Sequence, residues 1–267
     1  MNPLIDSDRD SLTLSQKHFT DSLRFPVIAL LSIWVAHLIR LGLDEDAGDF
    51  GIIPLTIYGI RGIVTSPLVH GSWTHILSNS LPLFVLSALS FYFYKKVALR
   101  AFWMIYFLTG IFVWIFARTQ VSHVGASGVV YGLVAFLFWN GIFRRSARSV
   151  ILSLVVLFFY SGMFMGILPN EPGVSWESHL LGSISGVFAA FWFKGQLEDD
   201  EIVKKSPFAD EQYMEKQYFL QPGVFAKTKA ERLEEARAEA QRLAHEAWLR
   251  QQQSGFPGGF WNQTGTF

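Results

Sequence analysis

The sequence predicts an all-α, polytopic membrane protein with six crossing helices. Hydrophobic residues make up 51% of it and charged residues only 16%, with 25 Phe and 9 Trp, and the mean hydropathy is +0.29. Six apolar runs approach the ~20 residues that a helix needs to cross ~30 Å of hydrocarbon. Basic residues gather in alternate connections between those runs. Each run must be helical, because an open sheet edge in lipid leaves backbone groups without partners.

The runs cover 25–43, 75–94, 101–117, 125–143, 150–168 and 177–193. The first is interrupted by His37 and Arg40, and the last is short but bounded by Lys194. Lys17 and Arg24 precede the first run. Lys95, Lys96 and Arg100 join the second to the third, and Arg144, Arg145 and Arg148 join the fourth to the fifth. The opposite connections hold only Arg61 and Arg118. Basic residues stay on the cytoplasmic side, so both termini are expected in the cytoplasm, with the protein in a bacterial-type cytoplasmic (inner) membrane. The polar, acidic start lacks the basic-then-apolar order of a cleaved signal peptide.

Residues 1–24 then form a cytoplasmic N-terminal segment, 25–194 the membrane domain and 195–267 a cytoplasmic tail. Within the tail, 226–252 alternates Leu and Ala with balanced charges, which predicts a solvated helix. The Gly-, Phe- and Trp-rich stretch 254–267 is expected to be disordered. The long connection 44–74 contains an apolar stretch, 52–66, that is broken by Pro54, Gly59 and Gly62. It is too polar to span and is expected at the interface.

Several function classes are disfavoured. Net charge is zero, so no broad basic field exists to hold a nucleic acid. There is no cysteine, which excludes disulfides, thiolate metal sites and a cysteine nucleophile. The spacing of His, Asp and Glu suggests no metal-ligand set, and no cofactor is implied.

The informative residues are polar groups placed where they cost free energy. His75 and Asn79 begin the second run, Ser127 begins the fourth within Gly125-Ala126-Ser127-Gly128, and His179 begins the sixth. Even-numbered runs all cross in the same direction. At 1.5 Å rise per residue, these groups lie within roughly 8 Å of one membrane boundary, whichever way the protein is inserted. Gly128 and Gly132, and likewise Gly182 and Gly186, make small-residue stripes that let helices approach closely. Packing run four on run six would bring Ser127 near His179. A serine is a weak nucleophile until a base takes its proton, and histidine titrates in the right range. Glu177 is two residues from His179, so the two side chains diverge on a helix. The pattern predicts a Ser–His dyad without a carboxylate. His75 and Asn79, four apart on one face, and the Ser127 N–H are candidate oxyanion donors.

His70-Gly-Ser-Trp-Thr-His75-Ile-Leu-Ser-Asn79, then Gly125-Ala-Ser127-Gly128-Val-Val-Tyr131-Gly132, then His179-Leu-Leu-Gly182-Ser-Ile-Ser-Gly186 resemble the three signatures of the rhomboid intramembrane serine proteases, in order and on the matching helices. The resemblance covers about 25–194 and implies a six-helix rhomboid-like core. It implies Ser127 as nucleophile, His179 as general base, and His75 and Asn79 at the oxyanion site. By the same resemblance Gly125 belongs to the loop entering the nucleophile, and Tyr131 packs on the catalytic imidazole. It leaves His70 a structural role in the outer loop. Span five and the loop 169–176 resemble the family's gate and cap. Transmembrane proteins are the implied substrates and the lipid bilayer the implied surroundings. The sequence departs from the family in the first outer loop: Arg61 lacks a preceding Trp, leaving the loop's anchoring open. His123 and His37 are assigned no chemistry. A catalytically inactive, client-binding rhomboid-like protein is the alternative; a transporter would place polar groups at mid-membrane.

Overall fold

The computed structural model describes residues 3–169, 175–199, 201–202 and 227–254, with side chains from residue 13 to 252 within those ranges. Residues 170–174, within the expected cap, and 255–267, within the expected disordered tail, lie outside the described residues. The chain divides into two compact units, Met1–Val203 and Lys204–Phe267.

The first unit is a helical bundle. Its helices are α1 (Pro3–Gly42), α2 (Gly62–Thr65), α3 (Trp73–Phe93), α4 (Ala98–Phe116), α5 (Ser127–Arg144), α6 (Ala147–Tyr160) and α7 (Trp176–Phe193). Short 3₁₀ turns occupy Ala47–Phe50, Tyr58–Arg61 and Ser161–Ile167. Among the described residues the strand content is one isolated bridge, Ile52 to His123. Hydroxyl side chains start three of the helices. Ser72 accepts from His75 N at 3.1 Å, Ser146 from Ser149 N at 3.1 Å, and Ser175 from Ser178 N at 3.4 Å. Each supplies an acceptor for a helix-start N–H that has no intrahelical partner.

Five segments are long and apolar enough to cross a membrane alone: Thr13–Gly42, Trp73–Phe93, Ala98–Phe116, Ser127–Arg144 and Ala147–Ile167. The sixth expected run is the 18-residue helix α7, which does not qualify on its own. Its polar residues lower its hydropathy, and its contacts show how they are accommodated. Glu177, His179 and Ser185 are buried, and α7 packs against α5 and α4, so its polar groups face protein. Two boundaries also differ from expectation. The first helix begins upstream of residue 25, since polar residues outside lipid can extend a helix. The fifth span ends in a 3₁₀ turn. Large apolar side chains face outward, including Phe158 and Phe159 of α6 at 77% and 73% exposure. Such a surface suits hydrocarbon surroundings.

Helix α5 is central. Val130, Leu133, Phe136 and Leu137 are buried in the main core with Ile76, Leu86, Ile105, Ala189 and Ala190. Its contact with α7 is backbone against backbone. A Cβ at Gly182 would fall on the Gly128 carbonyl, and one at Gly186 on the Gly132 carbonyl. Residue numbers rise together along this contact, so the helices run parallel. At the far end of α5, Arg144 is buried in an ion pair with Glu201 at 2.5 Å and donates to Asn140 Oδ1 at 2.7 Å. The segment following α7 folds back over this end of the connection between the fourth and fifth runs and supplies the partner of Arg144.

The first long loop is also anchored. The Arg61 guanidinium lies 3.6 Å from the centre of the Tyr58 ring and donates to the Asp49 carbonyl at 2.5 Å. Trp114 Nε1 donates to Thr56 O at 2.9 Å, and Tyr106 hydroxyl donates to Val64 O at 2.5 Å. Tyr58 therefore supplies the aromatic partner of Arg61.

The second unit contains α8 (Lys229–Ser254). Thr228 and Glu231 cap it reciprocally: Thr228 N donates to Glu231 Oε2 at 2.7 Å and Glu231 N to Thr228 Oγ1 at 3.3 Å.

Gly182→Leu is expected to force α5 and α7 apart and destabilise the bundle by about 1–3 kcal/mol. Gly162→Ala, whose Cβ would meet open space, is expected to change little. Unfolding midpoints in detergent check both.

Candidate active site

The candidate residues converge at one end of the bundle. Ser127 is the first residue of α5, His179 lies in the first turn of α7, and His75 and Asn79 lie in the first two turns of α3. Ser127, His179, His75, Asn79 and Tyr131 all line one open cavity of about 820 Å³. The glycines Gly128, Gly132, Gly182 and Gly186 sit behind it at the α5–α7 contact.

The loop entering α5 is held from several sides. Gly125 has φ +106°, a conformation that glycine adopts without strain. A Cβ there would also stand 2.5 Å from the His75 imidazole, so glycine alone lets the ring pack against the loop. Gly125 N donates to Ser66 O at 2.8 Å, and Ala126 N donates to His70 Nε2 at 3.2 Å. His70 is fully buried, so its structural expectation meets a specific geometry: it accepts a bond next to Ser127. The main chain of His123 exchanges two 2.9 Å bonds with Ile52. Its Nδ1 lies 2.6 Å from Ser175 Oγ, which lies 2.6 Å from Ser178 Oγ. This chain of contacts ties the Ser127 loop to the start of α7. His37 is buried with its ring edge-on to Trp73 at 5.0 Å.

His179 is oriented by two groups. The Tyr131 ring stacks on it with centroids 4.0 Å apart and 9° between planes. Its Nδ1 lies 2.8 Å from the Gly166 carbonyl. A carbonyl only accepts, so Nδ1 carries the hydrogen, and a neutral ring then presents the Nε2 lone pair. Asn79 Nδ2 donates one hydrogen to His75 O at 3.0 Å and retains a second. Ala126 provides no side-chain cap to α5, and the N–H groups of a helix start attract negative charge. Among the described residues, no hydrogen bond joins Ser127 Oγ to His179. Bonds of this kind are often long before substrate binds.

Three contributors carry no sequence signal of their own. The carbonyls of Met163 and Gly166 act through backbone atoms; Met163 O accepts from Tyr131 hydroxyl at 2.9 Å. Arg118 reaches the cavity wall and forms an ion pair with Glu177, which turns away from His179 as its spacing predicts. Among the described residues, no group of three or more His, Asp or Glu is placed to hold a metal ion.

Comparison with known sequences adds to this geometry. The chain matches the family model described as Rhomboid domain over residues 59–196. An uncharacterized protein of Mycobacterium tuberculosis is 37% identical over 149 residues, covering 53% of this chain and 62% of that protein. An uncharacterized protein of Mycobacterium bovis matches to the same extent. One of Mycobacterium leprae is 34% identical over 184 residues, 63% of this chain and 68% of that protein. The chain thus spans less than two thirds of the length of the first two relatives.

Burial, and then the neighbouring imidazoles of His75 and His37, push His70 down from 6.5 to about 3. Burial also lowers His123. Between about pH 6.5 and 3 the unfolded chain holds a proton at residue 70 that the folded chain refuses. The contribution is therefore full above pH 6.5 and lost as pH falls toward 3. Unfolding midpoints in detergent are expected to drop on acidification across that window. His70→Gln, which keeps an acceptor for Ala126 N, is expected to flatten the slope, with His123 supplying part of the remainder.

Proposed function

This chain belongs to the rhomboid family, and from that membership we propose that it is an intramembrane serine endopeptidase acting on transmembrane proteins. The observation that carries the reading is the shared cavity. Ser127, His179, His75 and Asn79 line one open space, at the same end of three parallel crossings.

In the proposed mechanism a substrate helix unwinds locally, since a helix hides its carbonyls in hydrogen bonds. Ser127 Oγ attacks the exposed carbonyl while His179 Nε2 takes its proton. The negative charge on the tetrahedral intermediate is met by the Ser127 N–H, Asn79 and His75, at the start of α5. Collapse releases the amine, protonated by His179, and leaves an acyl-serine. Water, deprotonated by the same imidazole, then hydrolyses the ester. Gly125 gives the loop its shape and Tyr131 keeps the imidazole plane fixed. Substrates are single- or multi-span membrane proteins with small, helix-weakening residues near the cleaved bond. The proposed setting is a bacterial cytoplasmic membrane with both termini inside.

One observation favours a second reading. Ser127 and His179 share the cavity but are not hydrogen-bonded, which also fits a protein that binds membrane clients without cleaving them.

Reconstitution in liposomes with single-span substrates separates the two. Wild-type protein is expected to cut within or beside the substrate's membrane helix. Ser127→Ala and His179→Ala are each expected to lose roughly 10⁴–10⁶-fold in rate, and Asn79→Ala about 10²–10³-fold. Client retention without cleavage by wild type, unchanged in Ser127→Ala, would establish the second reading.

A further inference from the structure

The base of an activated serine needs more than proximity. Something must fix its tautomer, so that the lone pair and not the N–H faces the nucleophile; a wrongly set tautomer leaves geometry intact and removes most of the rate. A carboxylate commonly does this, but Glu177, the carboxylate beside His179 in sequence, is engaged by Arg118. We propose that the main-chain carbonyl of Gly166 takes the carboxylate's place, making the 3₁₀ turn Ser161–Ile167 a positioning element of the catalytic site.

The turn is built for this role. A 3₁₀ helix has three residues per turn, so the carbonyls of Met163 and Gly166 stand one above the other on one side. Both are used by the site. Gly166 O accepts from His179 Nδ1 at 2.8 Å, and Met163 O accepts from the hydroxyl of Tyr131 at 2.9 Å. Tyr131 is the ring stacked on His179. The two carbonyls therefore hold the imidazole twice, through its own nitrogen and through its stacking partner. The Gly166 carbonyl is available because of its position: the last carbonyls of a helix have no intrahelical donor, and Pro169, three residues on, has no N–H to offer.

Glycine is required at 166 but not at 162. A Cβ on Gly166 would fall on the Tyr131 hydroxyl and stand 3.3 Å from His179 Nδ1, whereas one on Gly162 meets nothing within 4 Å. The turn's other face carries Phe164 and Met165, 56% and 62% exposed. One face thus holds the base and the other meets the surroundings of the bundle. Any outward movement of the turn withdraws the acceptor from Nδ1 and leaves the tautomer unset.

The consequence for catalysis rests on the peptidase reading, whereas the tautomer does not, so the test reads both. Full-length protein labelled with ¹⁵N-histidine in detergent gives the ring-nitrogen shifts, with His179→Asn locating the His179 signals. The rate of Ser127 modification by a fluorescent fluorophosphonate is measured beside it. Wild type and Gly162→Ala are expected to show the Nδ1–H tautomer at His179 and the same labelling rate. Gly166→Ala is expected to lose that tautomer's signature and to label about 10- to 100-fold more slowly, by analogy with the loss of the outer partner of a metal-bound histidine. Adding Tyr131→Phe to Gly166→Ala removes the colliding hydroxyl and is expected to restore part of both. An Nε2–H tautomer in wild type, or Gly166→Ala with wild-type tautomer and rate, overturns the proposal. If Gly166→Ala does not fold, the wild-type tautomer alone decides. An Nδ1–H tautomer in a wild type that never labels would uphold the positioning role and sink the peptidase reading.

Discussion

The structure depends on the direct approach of two helix backbones. Where α5 meets α7, Gly128, Gly132, Gly182 and Gly186 leave no room for a side chain, and any Cβ at 182 or 186 would land on a carbonyl of the facing helix. Because the helices are parallel and begin at one level, this contact sets the depth of Ser127 against His179. It also shelters α7, which lets that helix carry Glu177, His179 and Ser185 inside a membrane protein. In lipid there is no hydrophobic drive between helices, so close packing of small residues does the work that burial does in water.

Several other polar groups within the bundle are paired with one another. Near the site they form short chains: His70 with the loop backbone, His123 with Ser175 and Ser178, and Arg118 with Glu177. At the other end of α5, Arg144 and Glu201 form a buried pair reinforced by Asn140 and by Ser149 Oγ at 2.6 Å. A buried ion pair earns little net stability unless its remaining hydrogen bonds are satisfied, and here several are. The site end carries an open cavity, while the opposite end is tied by the Arg144–Glu201 pair. This polarity is compatible with the hydrolysis proposed above.

Much of this was legible in the sequence because the signals are periodic or chemical. The apolar runs locate the crossing helices, and the four-residue glycine spacings anticipate the α5–α7 contact. The placement of Ser127, His179, His75 and Asn79 at the starts of even-numbered runs anticipates their meeting in one cavity. What escaped has physical reasons. Helix α1 extends upstream because polar residues outside lipid are as compatible with helix as apolar ones within it. Arg144 reads as a loop base until the chain after α7 folds over it. The carbonyls of Met163 and Gly166 belong to the backbone, which every residue shares, so no side-chain pattern announces them. The Arg61–Tyr58 contact joins residues three apart across a short 3₁₀ turn, and no periodic or motif signal marks Tyr58 as the partner of Arg61.

The central claim is that Ser127 is an activated nucleophile. Mapping the adduct of a fluorophosphonate by peptide mass spectrometry on detergent-solubilised wild-type protein tests it most directly. The account predicts one phosphonylated residue, Ser127, and an unmodified peptide when His179 is replaced by Ala. An adduct on another serine, or on Ser127 to the same extent without His179, would contradict it.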